Sequence, residues 1–268
     1  MNHRYPFYIG WQDTSPGRFL KNTVWVLGFL GALVAIGWVM GQRPFGNGVF
    51  HYGKLRTFEG VLVMKPAPML KVPNGTGWNS ILLVGAGKHG AGATIEALWD
   101  ILEQPLNGRW VALEGTLVED DGKQVLELTN GVASFQGWLA QDTTYVAEFR
   151  NLGWQKLAGE ILDPKCAFGV MKPGCGKTHR SCAIRCISGG IPPVLRMQDA
   201  RGNINYVLLV DQNGESLGDR IAPYVADQLY VCGELKQVDD WLVLFTGLGE
   251  DIHRVAPWWM QGEMAMCY

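Results

Sequence analysis

Two stretches of the chain, LEGTLVEDDGKQVLEL at 113–128 and VCGELKQVDDWLVLF at 231–245, are alike and decide the fold. Each consists of two runs of mixed apolar and polar residues around an acidic turn, a pattern typical of a β-hairpin. A second matching pair has the same order: ILLVG at 81–85 precedes the first hairpin, and VLLVD at 207–211 precedes the second. We therefore predict that the chain contains one structural unit twice.

The order of elements within each unit predicts a small barrel. In the first unit we expect strands at 58–63, 79–85, 109–118 and 123–129 and a helix at 93–102. In the second we expect strands at 157–162, 203–211, 228–238 and 241–247 and a helical segment at 216–227, which Pro223 interrupts. A single helix before a final hairpin resembles the OB-fold, a five-stranded Greek-key barrel. The predicted fold class is mainly β, with two tandem OB-like barrels that each have one helix; a β-sandwich is the alternative.

An uncharged apolar segment, TVWVLGFLGALVAIGWVMG at 23–41, precedes the two units. As an α-helix it spans about 27 Å, nearly the thickness of a bilayer core. Trp25 and Trp38 stand near its ends, where tryptophan favours the headgroup layer. We predict an uncleaved transmembrane helix; a buried core helix and a cleaved signal peptide are the alternatives.

The anchor divides the chain into four expected parts. They are a short cytoplasmic tail at 1–22, the transmembrane helix at 23–41, a first OB-like domain with its linker at 42–140, and a second OB-like domain at 141–268. Basic residues are balanced on the two sides of the helix, so they do not decide its orientation. We base the orientation on the usual arrangement of one N-terminal anchor, which has a short tail inside and most of the chain outside. We expect a single-pass protein of the cytoplasmic (inner) membrane with most of the chain in the periplasm, an oxidising compartment.

The charge of the chain bears on its partners. With 23 Lys and Arg against 25 Asp and Glu, the formal net charge is −2. A chain without excess positive charge lacks the field that attracts phosphate backbones. We expect no nucleic-acid partner, and expect instead the membrane and other subunits of a membrane complex.

Two glycine motifs resemble nucleotide-binding sequences, but neither meets all the requirements of such a site. GAGKHG at 85–90 matches G-x-G-x-x-G, yet the chain after Glu114 returns as a hairpin where a dinucleotide fold needs a second βα unit. GCGKT at 174–178 lacks the first glycine of a phosphate loop, because Met171 stands there. We therefore expect no bound nucleotide.

Four of the six cysteines lie with one histidine in CAFGVMKPGCGKTHRSCAIRC at 166–186. The spacing of His179, Cys182 and Cys186 places them on one face of a helix, and Cys166 or Cys175 can join them from the loop. Thiolates with an imidazole suit copper(I), zinc or an iron–sulfur cluster. The alternatives are two structural disulfides, one disulfide beside a residual Cys/His site, and a reactive thiol activated by His179.

The same loop resembles a known group of sequences. D-x-K-C at 163–166, H-x-x-C-A-x-x-C at 179–186 and the glycine-proline exit that follows resemble bacterial membrane-anchored or secreted proteins of uncharacterised role. The resemblance implies that the shared positions are Asp163, Cys166, His179, Cys182 and Cys186, with Cys175 an addition of this chain. It favours a metal site of Cys166, His179, Cys182 and Cys186, with Asp163 and Cys175 as further candidates, and implies no known reaction.

The C-terminal sequence WWMQGEMAMCY at 258–268 offers a second group of soft ligands. The candidates are Met260, Met264, Met266 and Cys267, because thioethers bind copper(I). The stronger interpretation is a strip that contacts the bilayer or a neighbouring subunit. Cys232 falls inside a predicted strand and is expected to be a buried thiol.

These patterns together predict an extracytoplasmic accessory or electron-transfer subunit, held by one membrane helix and carrying a soft metal or metal cofactor. We expect it not to be an enzyme by itself, and expect the first barrel to act as a spacer or docking surface. The alternatives are a docking or assembly module stapled by disulfides and a thiol oxidoreductase.

Overall fold

Apolar runs form strands throughout the part of the chain that the computed structural model describes, which comprises residues 17–41, 47–75, 77–140, 145–199, 201 and 203–255. The strands are β1 (Val49–Val63), β2 (Met69–Asn74), β3 (Gly77–Gly85), β4 (Trp110–Asp120), β5 (Lys123–Leu128), β6 (Phe135–Trp138), β7 (Phe149–Leu162), β8 (Val194–Gln198), β9 (Ile204–Val210), β10 (Gln228–Val238), β11 (Trp241–Phe245) and β12 (Ile252–Arg254). The α-helices are α1 (Arg18–Gly41), α2 (Gly92–Leu102) and α3 (Arg180–Ser188).

The strands form two barrels of the same topology. In the first, the order is β1-β2-β3-β5-β4, β1 pairs with β4 to close the barrel, and β3 runs parallel to β5. In the second, the order is β7-β8-β9-β11-β10, β7 pairs with β10, and β9 runs parallel to β11. The short strands β6 and β12 add to β4 and β10. The prediction of two OB-like barrels is therefore confirmed, and the sandwich alternative is wrong.

Glycines at matching positions allow the two strands of the final hairpin in each barrel to approach closely. A Cβ on Gly115 of β4 would overlap the carbonyl of Glu127 in β5, and a Cβ on Gly233 of β10 would overlap the carbonyl of Phe245 in β11. Glycine in a strand often marks such a close backbone approach. The shared requirement supports duplication as the origin of the two barrels.

The helical segments differ between the barrels. In the first, α2 lies between β3 and β4 as predicted. In the second, the corresponding segment is a 3-10 helix at Gly218–Tyr224 that contains Pro223. Proline removes a backbone donor and disfavours a continuing α-helix, so this segment stays short.

Two stretches expected to lack strands contain them. No strand is predicted between 64 and 77 of the first unit, yet β2 begins at Met69 within that stretch. The first predicted strand, 58–63, is also too short, since β1 begins at Val49. Prolines disfavour a central strand but are tolerated at its ends, and Pro73 lies near the end of β2.

Helix α1 is a separate unit from the barrels. It begins at Arg18, five residues before the predicted start at Thr23, and continues to Gly41. Within the described residues it is the one helix long and apolar enough to cross a membrane. It is a candidate membrane span or signal sequence.

The two barrels share an apolar cluster between them, in addition to the core inside each. Side chains alternate along the strands: Leu83 faces the interior of the first barrel, whereas Leu82 packs in the shared cluster. In the second barrel Val207 and Leu208 divide in the same way. The shared cluster draws on both barrels through Met69, Leu82, Val84, Val118, Val125, Val194, Tyr206, Leu208, Val210, Trp241 and Val243.

Polar contacts also cross the interface between the two barrels and fix how the barrels pack. The Tyr206 hydroxyl donates to Asp120 of the first barrel at 2.6 Å. The indole N–H of Trp241, also in the second barrel, donates to the carbonyl oxygen of Ser80 in the first barrel at 3.2 Å. OB-folds use the face of their second and third strands to bind oligonucleotides and oligosaccharides. Here each barrel buries that face against the other.

Candidate metal centre

The candidate site lies in the segment that joins β7 to β8, residues 163–193. In the first barrel the corresponding segment between β1 and β2 is only residues 64–68. The long segment contains a π-helical turn at Cys166–Val170 and helix α3. The Cys/His motif is therefore an elaboration of one loop of the second barrel.

Ion pairs to one buried carboxylate hold α3 against the body of the second barrel. The carboxylate of Asp227 is almost completely buried and accepts hydrogen bonds from Lys177, Arg180 and Arg254. The guanidinium groups of Arg180 and Arg254 also donate to the carbonyl oxygen of Pro223. These contacts fix both the start of α3 and the loop before it.

The fold brings the predicted ligands together in two overlapping groups. The ligand atoms of Cys166, His179 and Cys182 all lie within 4.8 Å of one another, and so do those of Asp163, Cys166 and Cys186. The Sγ atoms of Cys166 and Cys182 are 3.9 Å apart. His179 immediately precedes α3, and Cys182 and Cys186 lie within it, so the three stand at the predicted helical spacing. The Cys/His cluster can hold a metal ion.

Asp163 organises the cluster from its buried position at the end of β7. Its Oδ1 accepts the backbone N–H of Cys166 at 2.9 Å, and its Oδ2 lies 3.1 Å from Nε2 of His179. With Nε2 facing Asp163, Nδ1 is the ring nitrogen left for another ligand. A carboxylate that fixes a histidine in this way is the usual outer-shell partner of a metal-bound imidazole.

The thiols affect one another strongly. The hydrogen bond between Cys166 and Cys186 lowers the pKa of Cys186, and the charge of Lys88 lowers it further. Burial and the charge of Asp163 oppose this shift. The same hydrogen bond, together with burial and the charge of Asp163, raises the pKa of Cys166. Of the two thiols, Cys186 therefore loses its proton more readily than Cys166. A bound cation would allow both to be deprotonated.

Lys88, from the first barrel, also reaches the cluster. Its Nζ lies 3.0 Å from Sγ of Cys182, and this hydrogen bond is the main reason that the pKa of Lys88 is raised. Sequence reasoning missed Lys88 because 94 residues separate the two partners. The fold alone brings them together.

The loop that carries Lys88 is the GAGKHG motif, and its glycines serve the contact between the barrels. The backbone N–H of Gly90 donates to the carbonyl oxygen of Gly189 at 2.8 Å, and a Cβ on Gly90 would overlap Gly190. The buried ammonium of Lys165 donates to the carbonyl oxygens of Gly85 at 2.9 Å and Gly87 at 2.6 Å. Lys165 stands inside the D-x-K-C motif, which was the available sequence signal for its role.

The remaining candidates lie elsewhere. Cys175 belongs to neither group of ligands; burial, and then the charge of Glu160, raise the pKa of its thiol. All four cysteines of the loop are free. Cys232 is buried as expected, but it is disulfide-bonded rather than a thiol. Met260, Met264, Met266 and Cys267 lie outside the described residues.

Comparisons with protein-family models, with curated proteins and with solved structures find no match to this chain.

Proposed function

We propose that the protein is a membrane-anchored module that binds one soft metal ion through Cys166, His179, Cys182 and Cys186. Three thiolates and one imidazole form a donor set typical of zinc and suited to copper(I). The three ligands other than Cys182 are each at least 95% buried, so the ion would be largely shielded from water. Burial of so many ionisable groups in one place is costly unless a cation compensates their charge.

The distance between Cys166 and Cys182 is the observation that carries this proposal. Two sulfur atoms bound at about 2.3 Å to the same tetrahedral ion are about 3.8 Å apart. The two Sγ atoms here are separated by 3.9 Å. In a [4Fe–4S] cluster each iron takes only one cysteine, which requires cysteine sulfurs farther apart. The geometry thus supports a single zinc or copper(I) ion over a cluster of that type.

The wider role that we propose rests on α1. A single apolar helix would anchor the barrels at the cytoplasmic membrane, with the bulk of the chain in the periplasm. Each barrel buries the face that OB-folds use for ligands, which supports an accessory subunit of a membrane complex over a free-standing binding domain. With copper bound, the module would suit electron transfer; with zinc, which has no redox chemistry, it would serve assembly.

Metal analysis of the intact chain tests the proposal. Protein purified anaerobically in mild detergent should contain about one equivalent of zinc or copper by mass spectrometry. His179→Ala and Cys182→Ser should lose it, whereas Cys175→Ser should keep it, because Cys175 lies outside both ligand groups. A metal-free wild type, or equal loss in all three variants, would overturn the proposal.

A thiol oxidoreductase is the second candidate, and the same cluster favours it. Cys166 and Cys182 are in sulfur–sulfur contact, and His179 is oriented by Asp163, the third group that an activated thiol needs. Two thiols would give up two protons and two electrons to a disulfide substrate. In that case wild type would be metal-free and would reduce a small disulfide, while Cys166→Ser would not.

A further inference from the structure

One ligand of the proposed metal site differs from the others in its exposure. Cys166 is 4% exposed, Cys186 1% and His179 3%, whereas Cys182 is partly open to solvent. The site therefore has one open edge, at Cys182. A side chain at this edge would contact the sulfur of Cys182 and would also lie in the path of any molecule that approaches the ion from solvent.

Lys88 occupies this edge, and the backbone that carries it is held firmly. Gly85 and Gly87, on the N-terminal side of Lys88, accept hydrogen bonds from Lys165, and Gly90, on the other side, donates to Gly189. A Cβ on Gly189 would overlap the carbonyl oxygen of Lys88, so the backbones of these two loops are in direct contact. Lys88 as a whole nevertheless remains exposed to solvent.

Charge explains why an ammonium belongs here. Three thiolates around a divalent ion carry a net charge of about −1, and around a monovalent ion about −2. An ammonium 3.0 Å from one sulfur offsets this charge and donates a charge-assisted hydrogen bond to it. Outer-shell partners of this kind typically change metal affinity by about 10- to 100-fold.

We propose that Lys88 is part of the metal site, so that the first barrel completes a centre whose ligands all come from the second. The ammonium of Lys88 stabilises Cys182 as a metal-bound thiolate and covers the only edge at which the described ligands are open. This inference rests on the proposed function, and it replaces the expected role of the first barrel as a mere spacer.

Zinc affinity of charge variants tests the inference. In the full chain in detergent, Lys88→Gln should weaken zinc binding about 10- to 100-fold in competition with a neutral chelator. A neutral chelator is needed because an anionic one would itself be attracted by Lys88. Lys88→Arg should stay within a few-fold of wild type, and Lys54→Gln, which removes an exposed charge from β1, should have no effect.

Cobalt substitution and thermal unfolding separate a direct effect from a structural one. Lys88→Gln should shift the thiolate-to-cobalt charge-transfer band while leaving the melting temperature of the metal-free protein unchanged. Unchanged affinity and spectrum in Lys88→Gln, or equal loss in Lys88→Arg, would overturn the role of Lys88 while the metal site stands. Failure of wild type to bind either ion would instead overturn the proposed function.

Discussion

Lys71 of the first barrel and Asp239 of the second form an ion pair that is almost completely buried, with 2.6 Å between Nζ and Oδ2. Side-chain exposure is 1% for Lys71 and 2% for Asp239. The hydroxyls of Ser80 and Tyr145 complete the network around them. A charged pair in such a place stabilises the interface only while both partners are present.

Removal of one partner should therefore be severe. We expect Lys71→Met to lower the free energy of unfolding by about 3–5 kcal/mol, because Asp239 would remain buried without its cation. Chemical denaturation of the wild type and the variant measures this. Lys65→Met breaks the exposed pair with Glu215 and should cost at most about 1 kcal/mol. A similar loss of unfolding free energy in the two variants would contradict the claim that the unpaired, buried charge of Asp239 is costly.

The contact of Gly90 with Gly190 predicts a second effect. Gly90→Ala should cost about 1–3 kcal/mol, because its Cβ would force the two loops apart. Because the displaced loop carries Lys88, zinc affinity should fall as well. Gly92→Ala is the matched control: it has open space around it at the start of α2 and should be neutral or slightly stabilising. Calorimetry and zinc titration of both variants decide the matter.

Asp163 offers a test of the outer shell on the opposite side of the site. In Asp163→Asn the single amide oxygen cannot accept from both the Cys166 N–H and His179. Zinc affinity should fall about 10- to 100-fold. Asp100→Asn, on an exposed position of α2, should not change it. Zinc affinity unchanged in Asp163→Asn would mean that His179 is oriented by other groups.

A buried carboxylate at the interface predicts a pH dependence of stability. Burial raises the pKa of Asp120 above 3.8, although the hydrogen bond from Tyr206 and the charge of Arg196 oppose the shift; Asp121 raises it further, and Lys172 lowers it. A raised pKa in the folded state means that the folded protein holds the proton more tightly. This group therefore lowers stability as pH rises through that window.

The variant Asp120→Asn removes that dependence. The free energy of unfolding of the variant relative to wild type should increase as pH rises above about 3.8, and should level off once Asp120 is ionised in the folded state. Urea denaturation across the pH range measures the difference. Asp100→Asn, at an exposed position of α2, is the control. A difference that decreases with pH would show that the Tyr206 hydrogen bond outweighs burial.

The repeated hairpins made the barrels predictable, because the pattern of each strand is local to the chain. The ligands on α3 were predictable for the same reason, since helical spacing alone aligns His179 with Cys182 and Cys186. The shared cluster was foreshadowed as well: ILLVG and VLLVD are continuous apolar runs, and such runs suit strands that are buried on both faces.

Contacts between the barrels were not predictable. Lys88 meets Cys182, and Lys71 meets Asp239, across 94 and 168 residues, and no local pattern encodes such pairs. The 3-10 helix in the second barrel was foreshadowed by Pro223, whereas β2 was hidden by the prolines around it. Positions that depend on two distant segments need the fold itself.

The faces that the barrels bury against each other have a consequence for how the protein is made. When the first barrel leaves the ribosome, Met69, Leu82 and Val125 have nothing to cover them until β8, β9 and β11 are synthesised. Nascent chains that stop between the barrels should therefore be prone to aggregation and dependent on chaperones. Under the proposed function, full affinity for the ion should be reached only after the two halves have docked, because only then does Lys88 meet Cys182.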